Sequence, residues 1–202
     1  MNKKLAAALS GGAVMVVALS GCTSATKESG PDPKLVAWAK SVCDAVPAQD
    51  AKIKAANAQI AKTATDGNLP PKTVRDTYAQ AFQDMSDGYK AIAAAIGGAG
   101  APPGVDDGAK RQQDAVKNLN GLSASYAGLK KQVDGLDTKN QGKFAKGLHD
   151  VADQTKQIGE QNNSGTEALK RLEQGEVQQA IAQQASCKVS ASAPPSAPAT
   201  AG

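Results

Sequence analysis

The sequence is poor in the residues that most active sites need. Among its 202 residues there is one histidine, His149, and there are six aromatic side chains. Histidine-based triads and most catalytic zinc sites therefore have little material here. We interpret His149 as an exposed or half-buried helix residue, and the alternative, an axial haem ligand, has no supporting motif. We expect no catalytic residue, no cofactor and no enzymatic activity.

An excess of charge of one sign is also lacking. The chain carries 23 Lys and Arg residues against 19 Asp and Glu residues. Two of these lysines, Lys3 and Lys4, lie within residues 1–21, so the remainder of the chain carries 21 against 19. Binding of nucleic acid needs basic side chains clustered on one face, and no such cluster is visible in the sequence. We therefore expect no nucleic-acid partner.

Only one segment is strongly apolar. Residues 5–19 follow Lys3 and Lys4 and contain only Leu, Ala, Val, Met, Gly and one Ser. A helix of this length spans roughly 22 Å, whereas the hydrocarbon core of a bilayer is roughly 30 Å thick. A charged start followed by a short apolar run is typical of an export signal. We predict that residues 1–21 form a signal peptide that is removed.

The end of this run, Leu19-Ser20-Gly21-Cys22, resembles the lipobox of bacterial lipoproteins. The resemblance implies that a diacylglyceryl group is attached to Cys22, which then becomes the mature N-terminus. Two acyl chains provide stable anchoring, whereas one chain is marginal. The expected location is the extracytoplasmic face of the cell membrane, with the lipid on Cys22 as the only membrane attachment. The alternative is an ordinary secretory signal with an incidental cysteine.

The two remaining cysteines, Cys43 and Cys187, form an even pair once Cys22 is assigned to lipid. In an exported protein such a pair is most simply a disulfide. Two other states stay open at this point, namely two buried free thiols and a metal pair. The metal pair has little support because no histidine or second cysteine lies at ligand spacing from either residue.

The composition divides the chain into a tether, one domain and a tail. Residues 22–33 are rich in small and polar residues and predict a flexible tether. The Pro/Ala/Ser-rich residues 190–202 predict a disordered tail, because they lack apolar groups that could pack. Residues 34–189 are long enough for a single domain with one core.

This domain is predicted to be all-α. Apolar residues recur at steps of three and four along four stretches, and no segment shows the period-two alternation of a strand. The stretches run over residues 35–60, 74–96, 119–136 and 144–172. Pro47 predicts a kink or break near Val46. The fourth stretch is expected to form one long helix through residues 162–165, and Gly175 is the expected boundary before a short last helix over residues 176–186.

Short connections make successive helices antiparallel neighbours. We therefore predict an up-down-up-down bundle of four main helices with a short C-terminal helix. In this arrangement the start of the first helix and the end of the fourth lie at the same end. Cys43 and Cys187 are then close enough to bond.

The lipobox, the Ala- and Gln-rich helices, and the segments "SVCDAV" and "QQASCKV" together resemble small helical lipoproteins of unknown function from high-GC Gram-positive bacteria. This resemblance implies an anchored extracytoplasmic domain and does not indicate any particular activity. We expect a monomeric, non-catalytic interaction module that binds a surface protein or a cell-wall polymer. The alternative is a small-ligand-binding bundle. An apolar cavity lined by Tyr78, Tyr126 or Phe144 would favour that alternative.

Overall fold

The computed structural model describes residues 30–190, apart from the side chains of residues 161, 189 and 190. The predicted signal peptide, the lipobox and most of the tether and tail lie outside the described residues. All regular structure within residues 30–190 is helical, as the sequence predicts. The six helices are α1 (Pro33–Thr65), α2 (Pro71–Ala99), α3 (Gly108–Asp134), α4 (Gln141–Leu172), α5 (Glu176–Ala182) and α6 (Ala185–Ser190).

Helix α1 passes through Pro47 without ending. Its start is fixed by Asp32, whose carboxylate accepts a hydrogen bond from the backbone amide of Lys34 at 2.7 Å. Pro47 removes one hydrogen bond of the helix. The buried side chains of Val42 and Ile53, on either side of this position, belong to the same hydrophobic core. Because most helix stability in proteins comes from such packing, one lost bond does not end the helix, and of the predicted kink or break the break does not occur.

The long helices pack in chain order. Helix α1 packs against α2, α2 against α3, and α3 against α4. Their contacting faces carry the apolar residues that the spacing predicts, and buried residues of all four helices form one core. The core also contains a polar contact, in which the Ser86 hydroxyl of α2 donates to the Ser123 carbonyl of α3 at 2.9 Å. No buried polar side-chain atom among the described residues lacks a hydrogen-bond partner.

Two glycines mark close approaches between helices. A Cβ atom added to Gly88 of α2 would lie 2.7 Å from Cγ1 of Ile53 in α1. A Cβ atom added to Gly165 of α4 would lie 3.0 Å from Cδ1 of Leu122 in α3. Gly165 therefore has a packing role, and α4 continues through residues 162–165 as predicted.

The chain ends in two short helices instead of the single one that the sequence predicts. Gly175 forms the expected boundary with a φ of 72°, a conformation that glycine adopts without strain. Helix α5 then ends at Ala182, and the backbone amide of Gln184 donates to the Ile181 carbonyl at 2.9 Å. The Gln184 side chain also donates to the Val36 carbonyl of α1 at 3.3 Å. This turn separates α5 from α6, which contains Cys187.

Candidate functional site

A disulfide joins α1 to α6, as the cysteine count predicts. The Sγ atoms of Cys43 and Cys187 are 2.01 Å apart and the Cα atoms are 5.2 Å apart. Cys43 is fully buried. Beside the bond, the Ser186 hydroxyl donates to the Asp44 carboxylate at 2.9 Å. Hydrogen bonds from Lys40 and Ser186 lower the pKa of Asp44, so this surface carboxylate is held in its ionised form.

Further contacts near the start of α1 hold several helix ends together. The Trp38 indole donates from Nε1 to the Gly100 carbonyl at 2.8 Å, which links α1 to the end of α2. Arg111 in the first turn of α3 donates to the Arg171 carbonyl in the last turn of α4 at 3.4 Å. The start of α1 also marks the point where the predicted tether joins the domain. We refer to this part of the molecule, defined by the helix ends around Trp38, as the tether end.

A surface groove lies between α1 and α2, with a volume of about 540 Å³. Its floor contains the buried Ala56 and Ala81, and its rim is polar. At the rim, Lys52 Nζ lies 3.2 Å from Asp84 Oδ1, and the Gln80 amide donates to the same oxygen at 3.2 Å. We call this the α1–α2 groove. Its lining residues are Lys52, Ala55, Ala56, Gln59, Asp76, Thr77, Gln80, Ala81 and Asp84.

The chemistry of the α1–α2 groove suits polar recognition. Its rim presents amide, hydroxyl, carboxylate and ammonium groups, which together can donate and accept hydrogen bonds. The Lys52–Asp84 pair is only partly exposed, with relative side-chain exposures of 43% and 29%. A second, smaller hollow of about 280 Å³ lies near the tether end and includes Arg111, Asp106 and Glu176.

Four of the six aromatic residues contact one another, and none of the six lines either hollow. Tyr126 and Phe144 are buried, and Tyr78 is half-buried. The Tyr89 and Tyr126 rings stack with centroids 5.5 Å apart and planes 9° apart. Burial raises the pKa of Tyr89 well above its usual range, and the nearby Tyr126 and Asp50 add to this effect. The described hollows therefore lack the aromatic lining that would favour a small-ligand site.

The remaining candidate residue, His149, lies on the exposed surface of α4. Its Nδ1 atom is 3.1 Å from the Asp153 carboxylate, and 76% of its side chain is exposed. Across residues 30–190, no three or more His, Cys, Asp or Glu side chains come together in a way that could hold a metal ion. In the same part of the chain, no helix combines the length and apolar character needed to cross a bilayer.

Sequence reasoning missed the α1–α2 groove. The sequence signal for this groove is weak, because Ala56 and Ala81 look like ordinary members of their apolar stripes. Only the packing of the two helices shows that these small side chains leave space above them. Comparisons of the chain with models of known protein families, with curated proteins and with solved structures find no match.

Proposed function

We propose that the protein is a lipid-anchored, non-catalytic interaction module at the extracytoplasmic face of the cell membrane. The observation that carries this proposal is the disulfide between Cys43 and Cys187. Structural disulfides are typical of exported proteins. The bond also uses two of the three cysteines and leaves Cys22, which is the cysteine of the LSGC segment. The pairing thus supports export and the assignment of Cys22 to lipid.

We further infer that the four long helices form an up-down-up-down bundle. In α1 and α2 the contacts pair Trp38 with Gly100 and Ile53 with Gly88, so the residue numbers run in opposite directions. The same reversal holds for α3 and α4, where Arg111 contacts Arg171 and Leu122 contacts Gly165.

One polar contact links α4 to α2. The Tyr89 hydroxyl of α2 is hydrogen-bonded to the Asn162 side chain of α4. The main packing of α4 among the described residues is against α3, so α4 extends the series of helices that pack in chain order.

This arrangement gives the bundle two distinct ends. The tether joins α1 at the tether end, and α1 is 33 residues long, which corresponds to about 50 Å. Residues 66–70 and 135–140, which connect α1 to α2 and α3 to α4, therefore lie at the opposite end. We call this opposite end the distal end. With lipid on Cys22, the tether end is the one nearer the membrane, and the distal end points away from it.

The α1–α2 groove is the surface that we assign to a partner. Sites for small ligands are usually enclosed and mainly apolar. This groove is instead open to solvent, with a rim of polar and charged groups around its alanine floor, which favours a segment of a larger partner. Its volume of about 540 Å³ is nevertheless large enough for a polar small molecule, which is the second candidate for the bound partner.

The membrane anchor is tested by replacing Cys22 with serine. This change removes the thiol that the lipid needs, so the protein should leave the membrane fraction or accumulate as the uncleaved precursor. A Ser24→Ala variant in the tether should stay with the membrane and serves as the control. Membrane retention and normal processing of the Cys22→Ser variant would contradict the proposal.

The interaction surface is tested by photo-crosslinking in intact cells. A photoreactive residue at Gln59, in the α1–α2 groove, should give a defined adduct, because a bound partner would lie against this side chain. The same residue at the exposed Gln157 of α4, outside the groove, is the control. A protein or polymer adduct supports the interaction module, whereas a shift of only a few hundred daltons supports the second candidate. Equal labelling at Gln59 and Gln157 would show that the groove is not the binding surface.

A further inference from the structure

The distal end carries more positive charge than the rest of the described chain. Residues 60–76 and 130–150, which form this end, contain eight Lys and Arg residues and five Asp residues. The rest of residues 30–190 contains twelve Lys and Arg residues against thirteen Asp and Glu residues. The small positive charge of the domain is therefore concentrated at the end that points away from the tether.

Ion pairs neutralise some of the lysines at the distal end and leave others unpaired. Lys72, Lys130 and Lys146 each pair with an aspartate four residues later. Four exposed lysines at the same end make no ion pair with any described residue, and we call them the distal lysines. They are Lys62, Lys131, Lys139 and Lys143.

The two remaining carboxylates of the distal end do not neutralise the distal lysines. Asp66 accepts a hydrogen bond from the backbone amide of Asn68 at 3.1 Å. Asp137 accepts from the backbone amides of Lys139 and Asn140 at 3.0 and 3.3 Å. Both side chains are therefore used to stabilise the loops, and no lysine ammonium group lies within ion-pair distance of them.

Three of the distal lysines surround one loop. Lys131 lies in the last turn of α3, Lys139 lies in the connection, and Lys143 lies in the first turn of α4. The packing of Leu136 against Gly147 holds the two helix ends together. A Cβ atom added to Gly147 would lie 2.3 Å from Cδ2 of Leu136, so the fit is close. The three ammonium groups are thus attached to a well-packed junction.

The chemistry of this end suits an anionic polymer. An arginine fork binds carboxylate or phosphate in a bidentate manner, whereas a lysine ammonium is a compact point charge that binds either anion through a single contact. The only arginine of the distal end, Arg75, already donates from Nε and Nη2 to Asp76 at 2.9 and 2.7 Å. The groups that remain available for binding are the separate ammonium groups of the distal lysines.

We propose that the distal lysines bind an anionic polymer of the cell envelope through single contacts to its phosphate or carboxylate groups. This inference rests on the proposed function, because the lipid on Cys22 sets which end points away from the membrane. A polymer with repeated phosphodiesters can contact several ammonium groups at once, so contacts that are individually weak add up. Interactions between exposed charges are screened by salt, so the affinity should fall steeply as the salt concentration rises.

The test uses the acylated mature protein in nanodiscs of zwitterionic lipid and poly(glycerol phosphate) as the probe. The triple variant Lys131→Gln, Lys139→Gln, Lys143→Gln should weaken binding at least about tenfold at roughly 50 mM salt, because three unscreened contacts are lost. Glutamine has nearly the helix propensity of lysine, so the fold is retained. The matched control replaces Lys34, Lys90 and Lys117, three exposed lysines away from the distal end, and should change binding less than about twofold.

Three results would overturn this inference. The first is an equal loss of affinity in the two triple variants, and the second is binding to uncharged dextran that is as tight as binding to the phosphate polymer. The third is binding to vesicles rich in phosphatidylglycerol that depends on the same three lysines and exceeds binding to the polymer, since the surface would then be a membrane contact. If the polymer does not bind while Cys22 is acylated and Gln59 is crosslinked, this inference fails and the proposed function stands.

Discussion

Removal of the disulfide should lower the stability of the domain strongly. Cys43 and Cys187 are separated by 144 residues, and the chain-entropy relation gives about 5 kcal/mol for a loop of that length. Total stabilities of small proteins are about 5 to 15 kcal/mol, so this crosslink is a large share. For a domain of this size, each kcal/mol shifts the melting temperature by about 2–4 °C. We therefore expect a decrease in melting temperature of about 10–20 °C.

The measurement compares thermal melts of the mature protein, followed by circular dichroism, in three states. These are the oxidised protein, the same protein reduced in denaturant and refolded with reductant present, and the Cys43→Ala/Cys187→Ala variant. Because Cys43 is fully buried, reduction without unfolding would be slow and incomplete. The reduced protein controls for the loss of the sulfur atoms, since only the covalent bond is missing from it.

Helicity at low temperature should be nearly unchanged in all three states, because α1 to α4 keep their shared core. The loss of stability should instead appear first as faster amide exchange in α5 and α6. In the described part of the chain, these two helices contact mainly α1. A decrease in melting temperature of less than about 3 °C in both reduced and alanine forms would refute the loop-entropy reasoning. Peptide mapping that finds two free thiols in protein from its native compartment would refute the pairing itself.

Two further substitutions, one of them with a matched control, test the packing of α2 against α1 by chemical denaturation. Gly88→Ala should destabilise the protein by about 1–3 kcal/mol, because the new methyl group would overlap Ile53. The control, Gly121→Ala, changes an open helix position and should stabilise the protein by about 0.5–1 kcal/mol. Equal effects would show that the close approach at Gly88 is not real. Trp38→Phe should cost about 1 kcal/mol, because the Gly100 carbonyl loses its indole donor, and an unchanged midpoint would show that this bond contributes nothing.

The long helices could be predicted from the sequence because their physical basis is local and periodic. Apolar residues at steps of three and four determine which face of each helix is buried, and turn residues such as Gly175 end helices for reasons of backbone geometry. The disulfide was predictable for a different reason, since the predicted export and the expected attachment of lipid to Cys22 leave only one pair of cysteines. Each of these arguments uses only the amino-acid sequence.

The features that sequence reasoning did not predict depend on contacts between helices. The sequence predicts a kink or break near Pro47, and the helix does not break there, since the loss of one hydrogen bond is offset by core packing on both sides of it. The division between α5 and α6 depends on a bond from the Gln184 side chain to Val36, which is 148 residues away in sequence. The α1–α2 groove likewise exists only because two helices with small side chains lie next to each other.

The position of the disulfide matters for a protein held by one end. Under the proposed anchoring, a pull on the tether enters the domain at Pro33, where α1 begins. The bond at Cys43 lies ten residues further along α1 and connects it covalently to α6. Between these two points, the Trp38 indole is bonded to Gly100 at the end of α2. A pull between the two ends of the domain, at Pro33 and Ser190, would therefore pass through this covalent bond, and the residues between Cys43 and Cys187, which include the α1–α2 groove and the distal end, would carry no load.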